Sequence, residues 1–236
     1  MRVLSYNIRK AVGLDGRRNP ERVMSVIADS GADVVILQEA DRRLAPRPSA
    51  IPRHLIDLHS AYDAVDLGGT DVSLGWHGNA VLVKPGISVT GLRRLTLPGL
   101  EPRGAVQVEV EAQGLGRVVL VGAHLALLRR WRRLQMQAIR AHLEPGDLPR
   151  TIIAGDFNDW TPDGGTTPFG EGLSVVTPGR SFHAAYPVAA LDRFVHGAAL
   201  DVTGSGVIRQ GAARHASDHL PVWAEFAPTP RDRRED

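Results

Sequence analysis

A chain of 236 residues, 43% hydrophobic and 23% charged, can bury a large core as one α/β or all-β domain, and this composition excludes disorder for most of it. Twenty-eight basic residues against 26 acidic leave a formal charge of +2, which exerts little long-range pull on a polyanion. The absence of cysteine excludes disulfides, thiolate nucleophiles and cysteine-bound zinc, and no apolar run reaches the length of a membrane span.

Val3 to Ile8 reads as a strand whose polar tip is Asn7, a residue type depleted in strands. The chain enters it at once, leaving no room for a signal peptide, so the cytoplasm is the expected compartment. Gly13 to Arg18 is a loop. Asn19, Pro20 and Glu21 supply an N-cap, a first-turn proline and a first-turn acid for a helix through Val23, Ile27 and Ala28, which Gly31 closes. Asp33 to Gln38 is a second buried strand with Glu39 at its exit. Strand, helix and strand in about forty residues predict a β-α-β unit, and ligands gather at the carboxyl ends of such strands.

Proline-rich sequence around Pro46, Pro48 and Pro52 leads to a helix through Leu55, Ile56 and Leu58. Gly78, Asn79 and Ala80 open a short strand, Val81 to Val83. Ile87 to Leu97 and Ala105 to Val110 alternate apolar and polar residues, as antiparallel strands with one wet face do. Arg103 lies between them in Glu-Pro-Arg-Gly, where it can grip a phosphate bidentately or pair with Glu101.

Arg117 to Gly122 forms another strand, which delivers His124 at its end. Leu127, Trp131, Leu134, Ala138 and Ala141 recur at helical spacing, with Arg129, Arg130, Arg132, Arg133 and Arg140 on the other faces. Such arginines either solvate an outer face or contact phosphate groups or a membrane surface; solvation is the commoner role. Thr151 to Ala154 is a short, fully buried strand, central and parallel, which releases Asp156 and Asn158 in Gly-Asp-Phe-Asn. Two residues apart, they point to one side if the chain stays extended, and suit a phosphate ester; the same four residues also fit a plain turn. A further turn spans Thr161 to Gly164. Asp192 and Arg193 sit in the apolar strand Leu191 to Val195, where a buried carboxylate needs a partner. Ser217, Asp218 and His219 precede the last strand, which runs to Phe226, and the tail from Pro228 to Asp236 is expected to be disordered.

The chain has no Gly-x-Ser-x-Gly elbow, no phosphate loop ending in Gly-Lys-Ser/Thr and no His-Glu-x-x-His. What remains is oxygen and imidazole groups at strand ends. Glu39, Asp156 and Asp218 can offer oxygens to Mg²⁺, a His219 ring paired with Asp192 would be fixed in one tautomer, and Asn7, Asn158 and His124 can donate to phosphate oxygens.

Asn7 in Ser-Tyr-Asn-Ile, Glu39 in Leu-Gln-Glu, Gly-Asn-Ala-Val-Leu at Gly78, His124 in Ala-His-Leu, Gly-Asp-Phe-Asn, Leu-Asp-Arg-Phe and Ser-Asp-His-Leu-Pro-Val follow the order seen in the endonuclease/exonuclease/phosphatase superfamily, which this chain resembles from Met1 to Phe226. The resemblance implies a four-layer α/β/β/α sandwich over residues 1–227, two packed mixed sheets flanked by helices, with the arginine-rich helix outside and away from the site. It implies phosphoester hydrolysis with Mg²⁺, or Mn²⁺ in its place. Residue by residue, it implies that Glu39 holds the metal with Asn7 and Asp218 near it, and that Asp192 orients His219. His219 either activates water or stabilises the phosphorane, with Asp156 the rival for water activation; Asn158 and His124 contact the phosphate, and Arg103, in a Glu-Pro-Arg-Gly segment common among small bacterial relatives, can contact the substrate. Nucleic acid is the leading substrate, ahead of a phospholipid or soluble organophosphate of the kind taken by sphingomyelinases and inositol phosphatases. An inactive binding scaffold is the reading from another class, and the filled motif positions count against it. His183 replaces a proline common among relatives.

Overall fold

In the computed structural model, residues 1–42, 46–161 and 167–230 are described. The strands are β1 (Arg2–Asn7), β2 (Val34–Gln38), β3 (Asp63–Ala64), β4 (Ala80–Val83), β5 (Ser88–Leu97), β6 (Arg103–Ala112), β7 (Gly116–His124), β8 (Thr151–Asp156), β9 (Leu173–Val176), β10 (Asp192–Gly197), β11 (Leu200–Val207) and β12 (Val222–Pro228). The helices are α1 (Pro20–Asp29), α2 (Arg53–His59), α3 (Arg129–His142) and the short α4 (Ala213–Ala216).

The strands form two six-stranded mixed sheets, ordered β11-β12-β1-β2-β4-β3 and β5-β6-β7-β8-β10-β9. Each has one parallel pair near its middle, β1 with β2 and β7 with β8, joined through α1 and α3. A parallel pair needs such a crossover, and the crossover helix must cover the sheet. Period-two alternation then decides the layers. Val3, Val34, Ile36, Val118, Leu120, Ile152 and Ala154 face the interior between the sheets. Leu4, Tyr6, Val35 and Leu37 face the layer of α1 and α2, while Val119, Val121 and Ile153 face α3. This is the four-layer α/β/β/α sandwich. Asn19 caps α1 as expected, its Oδ1 accepting the Arg22 N–H at 2.9 Å.

Three expectations need correction. The buried face of α3 is Arg132, Gln135, Met136 and Ile139, whereas Leu127 and Leu134 are exposed. Arg132 can be buried because it donates to the Leu127 carbonyl at 2.6 Å and pairs with Asp159 at 3.3 Å. Gln135 accepts the Ala126 N–H at 2.8 Å, so the first half of α3 braces the loops beside His124 and Asn158 rather than standing apart from them. Second, β6 is buried on both faces over its first six residues, because Val106 and Val108 pack between the sheets and Ala105 packs on the α3 side; of these two strands, β5 at the edge is the one that is largely wet. Third, β12 continues to Pro228 and Thr229 donates to the Ala199 carbonyl at 3.0 Å, so ordered pairing passes the expected boundary. Pro162 to Gly164 of the expected turn, and residues 231–236 of the expected tail, lie outside the described residues. No described helix is long and apolar enough to cross a membrane.

Candidate active site

The same alternation that fills the interior with valine and isoleucine delivers polar groups at one end of it. Asn7 continues the inward set Val3 and Ser5, Asp156 continues Ile152 and Ala154, and His124 continues Val118 and Leu120. Asp192 lies opposite Asp156 in the β8–β10 pairing, and His124 opposite it in β7–β8. Because β10 is antiparallel to β8, its first residue arrives where β8 ends.

Asp156 is the centre of the group. Its Oδ2 accepts Asn7 Nδ2 at 3.0 Å from the other sheet, with His124 Nε2 at 3.4 Å and His219 Nε2 at 3.6 Å. Its Oδ1 accepts the Asn158 N–H at 2.9 Å, and Asn158 Nδ2 donates to the Leu125 carbonyl at 2.9 Å. Asn158 has a φ of 52°, so the chain turns there and does not stay extended. The Gly-Asp-Phe-Asn segment is thus a turn closed by its own aspartate. Gly155 is required in it: a Cβ there would lie 1.8 Å from the Ala123 carbonyl oxygen.

His219 Nδ1 lies 2.8 Å from Asp192 Oδ2, which leaves Nε2 facing Asp156. Asp192 is fully buried, and Ser181 Oγ donates to the same oxygen. Burial opposes the charged form of His219, but the Asp192 and Asp156 carboxylates outweigh it and raise the affinity of the ring for its proton. Burial also raises the Asp156 pKa, against the lowering effect of His219. Ser217 Oγ donates to the Asn7 carbonyl at 2.7 Å and fixes the Ser-Asp-His segment to the end of β1.

Glu39 leaves β2 with a φ of 53° and pairs with Lys10, and Asp218 pairs with Arg9 at 3.4 Å. Arg103 donates to Glu101 at 3.0 Å and also faces the cavity, so the two roles considered for it are compatible. Of the nine residues singled out in the sequence, Asn7, Glu39, Arg103, His124, Asp156, Asn158, Asp218 and His219 line one cavity of about 220 Å³, and Asp192 stands behind His219. Among the described residues, a group of metal-ligand type lies elsewhere than at the expected Glu39, Asn7 and Asp218: Asp156, Asp192 and His219 offer atoms within 4.8 Å of one another. Asp192 Oδ2 takes two hydrogen bonds there, from Ser181 and His219, while its Oδ1 is buried without a partner among the described residues. His183 lies outside the cavity, its Nδ1 accepting from the Ala185 N–H.

Sequence reading missed Lys10, Ser181, Ser217 as an anchor, and the aromatic wall of Phe182, whose ring lies 4.9 Å from His219. Lys10 carried a signal, being one of two lysines in an arginine-rich chain. Ser181 carried none, since its contact depends on the pairing of Phe182 with Ala189 and His219.

A two-sheet α/β sandwich with acid, amide and imidazole groups gathered at one end of its interior defines the DNase I-like class of folds. The chain belongs to the Endonuclease/Exonuclease/phosphatase family, whose profile matches residues 4–219. It is 28% identical over 245 residues to the uncharacterised protein YbhP of Escherichia coli strain K12, covering 95% of each chain. Among solved structures it is similar to an endonuclease/exonuclease/phosphatase from Beutenbergia cavernae, at 26% identity and a TM-score of 0.72, over 97% of this chain and 71% of that one. It also shares its fold with D. rerio TDP2 in complex with a single-stranded DNA product, at 17% identity and a TM-score of 0.72, over 96% and 98% of the two chains.

Proposed function

We propose that the protein is a Mg²⁺-dependent phosphodiesterase in which water attacks phosphorus and the Asp156–His219 pair takes its proton. The observation that carries this is the line Asp192–His219–Asp156, ringed by Asn7 and His124, in a cavity at the end of the inter-sheet core. Asp192 holds the ring so that Nε2 faces the reacting position. His124, Asn7 and Arg103 bring nitrogen donors to the cavity wall, where developing phosphoryl charge would sit.

The remaining acids fit a hard cation. Glu39 and Asp218 are each met by a cationic side chain, Lys10 and Arg9, and together with the Asn7 carboxamide they offer oxygen donors on the wall of one cavity. Mg²⁺, or Mn²⁺, held there would supply Lewis-acid polarisation of a phosphoryl oxygen. The chain's own residues supply orientation, proton transfer and oxygen contacts.

Nucleic acid is the substrate class we favour. The TDP2 complex shows this fold holding single-stranded DNA, and Trp160, 63% exposed at the cavity rim, is placed to stack on a base. A phospholipid is the second reading, favoured by Leu127 and Leu128, exposed beside the same rim. Binding of a thymidine oligonucleotide that weakens steeply with salt supports the first, and hydrolysis that needs detergent-dispersed lipid supports the second.

The deciding experiment is hydrolysis of bis-p-nitrophenyl phosphate with Mg²⁺ or Mn²⁺, beside p-nitrophenyl phosphate. Diester cleavage should vanish with EDTA, and His219→Ala should lower kcat by about 10²- to 10⁴-fold. Full turnover by His219→Ala overturns the mechanism; cleavage of the monoester alone makes the protein a phosphatase.

A further inference from the structure

A second cavity, of about 400 Å³, opens from the first and shares Glu39, Arg103 and His124 with it. Its far side is built from two guanidinium groups, Arg42 and Arg47, on the loop that leaves β2. The loop is held at its base: Asp41 accepts the Leu74 and Gly75 N–H groups at 2.7 and 3.2 Å, and the Arg42 N–H donates to the Pro48 carbonyl at 2.9 Å. Arg47 Nη1 lies 2.8 Å from His77 Nδ1, which therefore accepts. Burial, and then the Arg47 charge, lower the pKa of His77, so the ring is a neutral acceptor that aims the guanidinium.

The charges in this cavity do not balance. Lys10 is paired with Glu39, and Arg103 with Glu101. The Asp41 oxygens accept from backbone N–H groups, yet its charge still acts on Arg47, so four cationic side chains face three acidic ones in this cavity. Among the described residues, neither Arg42 nor Arg47 forms a salt bridge. Arg42 also faces another cation, Arg18, whose pKa is lowered by burial and then by Arg42. An excess of cationic groups in a concavity raises the potential there and favours an anion. The backbone points the same way. Lys10, Glu39, Arg47 and His77 all line this cavity and all have positive φ, at 58°, 53°, 60° and 48°. Non-glycine residues held in that region cluster at ligand sites, where surrounding structure imposes the conformation.

We infer that Arg42 and Arg47 form a subsite for a second phosphoryl group of the substrate, beyond the one that is cleaved. Guanidinium forks match phosphate oxygens in a way that an ammonium does not. The inference rests on the hydrolase reading for the position of the first phosphate, but not on turnover. The second group is either the neighbouring phosphate of a polynucleotide or a second phosphate on a compact molecule.

The test is calorimetric binding of α,ω-alkanediol bisphosphates of three to six carbons, each beside its alkyl monophosphate, in Mg²⁺ buffer. At one chain length the bisphosphate should bind about tenfold more tightly or better, consistent with an added charge-assisted contact. Arg42→Gln, which removes no side-chain bond among the described residues, and Arg47→Gln should each reduce that preference to about threefold or less. Equal binding of both members at every length, or a preference that survives both substitutions, overturns the subsite. The dinucleotide pTpT, compared with thymidine 5′-monophosphate, separates the sources: a larger gain for pTpT than for any alkane bisphosphate assigns the second phosphate to a polynucleotide, and a smaller gain to a compact ester. Because binding is read directly, absence of hydrolysis overturns the catalytic proposal and leaves this one to its own result.

Discussion

Asp192 shows how much one buried carboxylate can decide. Without solvent, its charge is tolerable only because Ser181 and His219 both bond to it, and those bonds set the tautomer of the imidazole. Asp192→Asn keeps the size of the side chain and removes the charge. The ring then faces a neutral carboxamide whose NH₂ end cannot accept, so it loses the charged acceptor that fixes it and one of the influences that raise its pKa. We expect kcat on the diester to fall by about 10²-fold or more with little change in KM, and the far-ultraviolet dichroism to stay as in the wild type. Ser181→Ala removes one of two hydrogen bonds and should cost about tenfold or less. Wild-type turnover by Asp192→Asn would remove the relay from the mechanism.

At the scale of elements, the loop after Asn158 depends on two buried arginines. Arg193 donates to the Asp159 and Thr161 carbonyls at 3.1 and 2.8 Å, and Arg132 of α3 pairs with Asp159. Burial works to raise the Asp159 pKa, but the Thr161 hydroxyl and N–H together with Arg132 outweigh it and lower the value. A carboxylate with a depressed folded pKa contributes stability above its unfolded pKa and loses it as pH falls through the folded value. Arg132→Met should therefore destabilise by roughly 2 kcal/mol at pH 7, and the gap in Tm from wild type should narrow as the pH is taken below about 4. A gap independent of pH would mean that Arg132 acts only through packing. This loop also marks where sequence reading stopped. The strands were legible because buried runs such as Val34 to Leu37 are unbroken, and α1 because its cap is spelled out by Asn19, Pro20 and Glu21. The face of α3 was not, because hydrophobicity assigned Leu127 and Leu134 inward, while Arg132 and Gln135 are buried by partners on other elements. The candidate site was legible in its residues but not in its contacts. Period two sends Asn7 and Asp156 to the interior face of their strands; that they meet requires the two sheets to be stacked.

Over the whole molecule, the site divides between the sheets. In the first sheet the order β12-β1-β2 puts Asp218, Asn7 and Glu39 in a row, since β12 runs against β1 and begins where β1 ends. In the second the order β7-β8-β10 puts His124, Asp156 and Asp192 in a facing row. His219 leaves the first row and crosses to Asp192. The oxygen donors proposed for a cation therefore belong to one sheet, and the proton-handling groups span both. If so, metal binding and proton transfer can be separated by substitution. A cation that binds only the folded chain stabilises it in proportion to the logarithm of its saturation, so Mg²⁺ at about a hundredfold its Kd should raise Tm by roughly 5 °C or more in a domain of this size. Glu39→Gln and Asp218→Asn should each reduce that rise, whatever they do to the metal-free Tm through the lost partners of Lys10 and Arg9. His219→Ala should keep the rise while losing turnover. Were His219→Ala to abolish the Mg²⁺ shift and Glu39→Gln to preserve it, the cation would belong with Asp156, Asp192 and His219, and the relay proposed for those three would have to be given up.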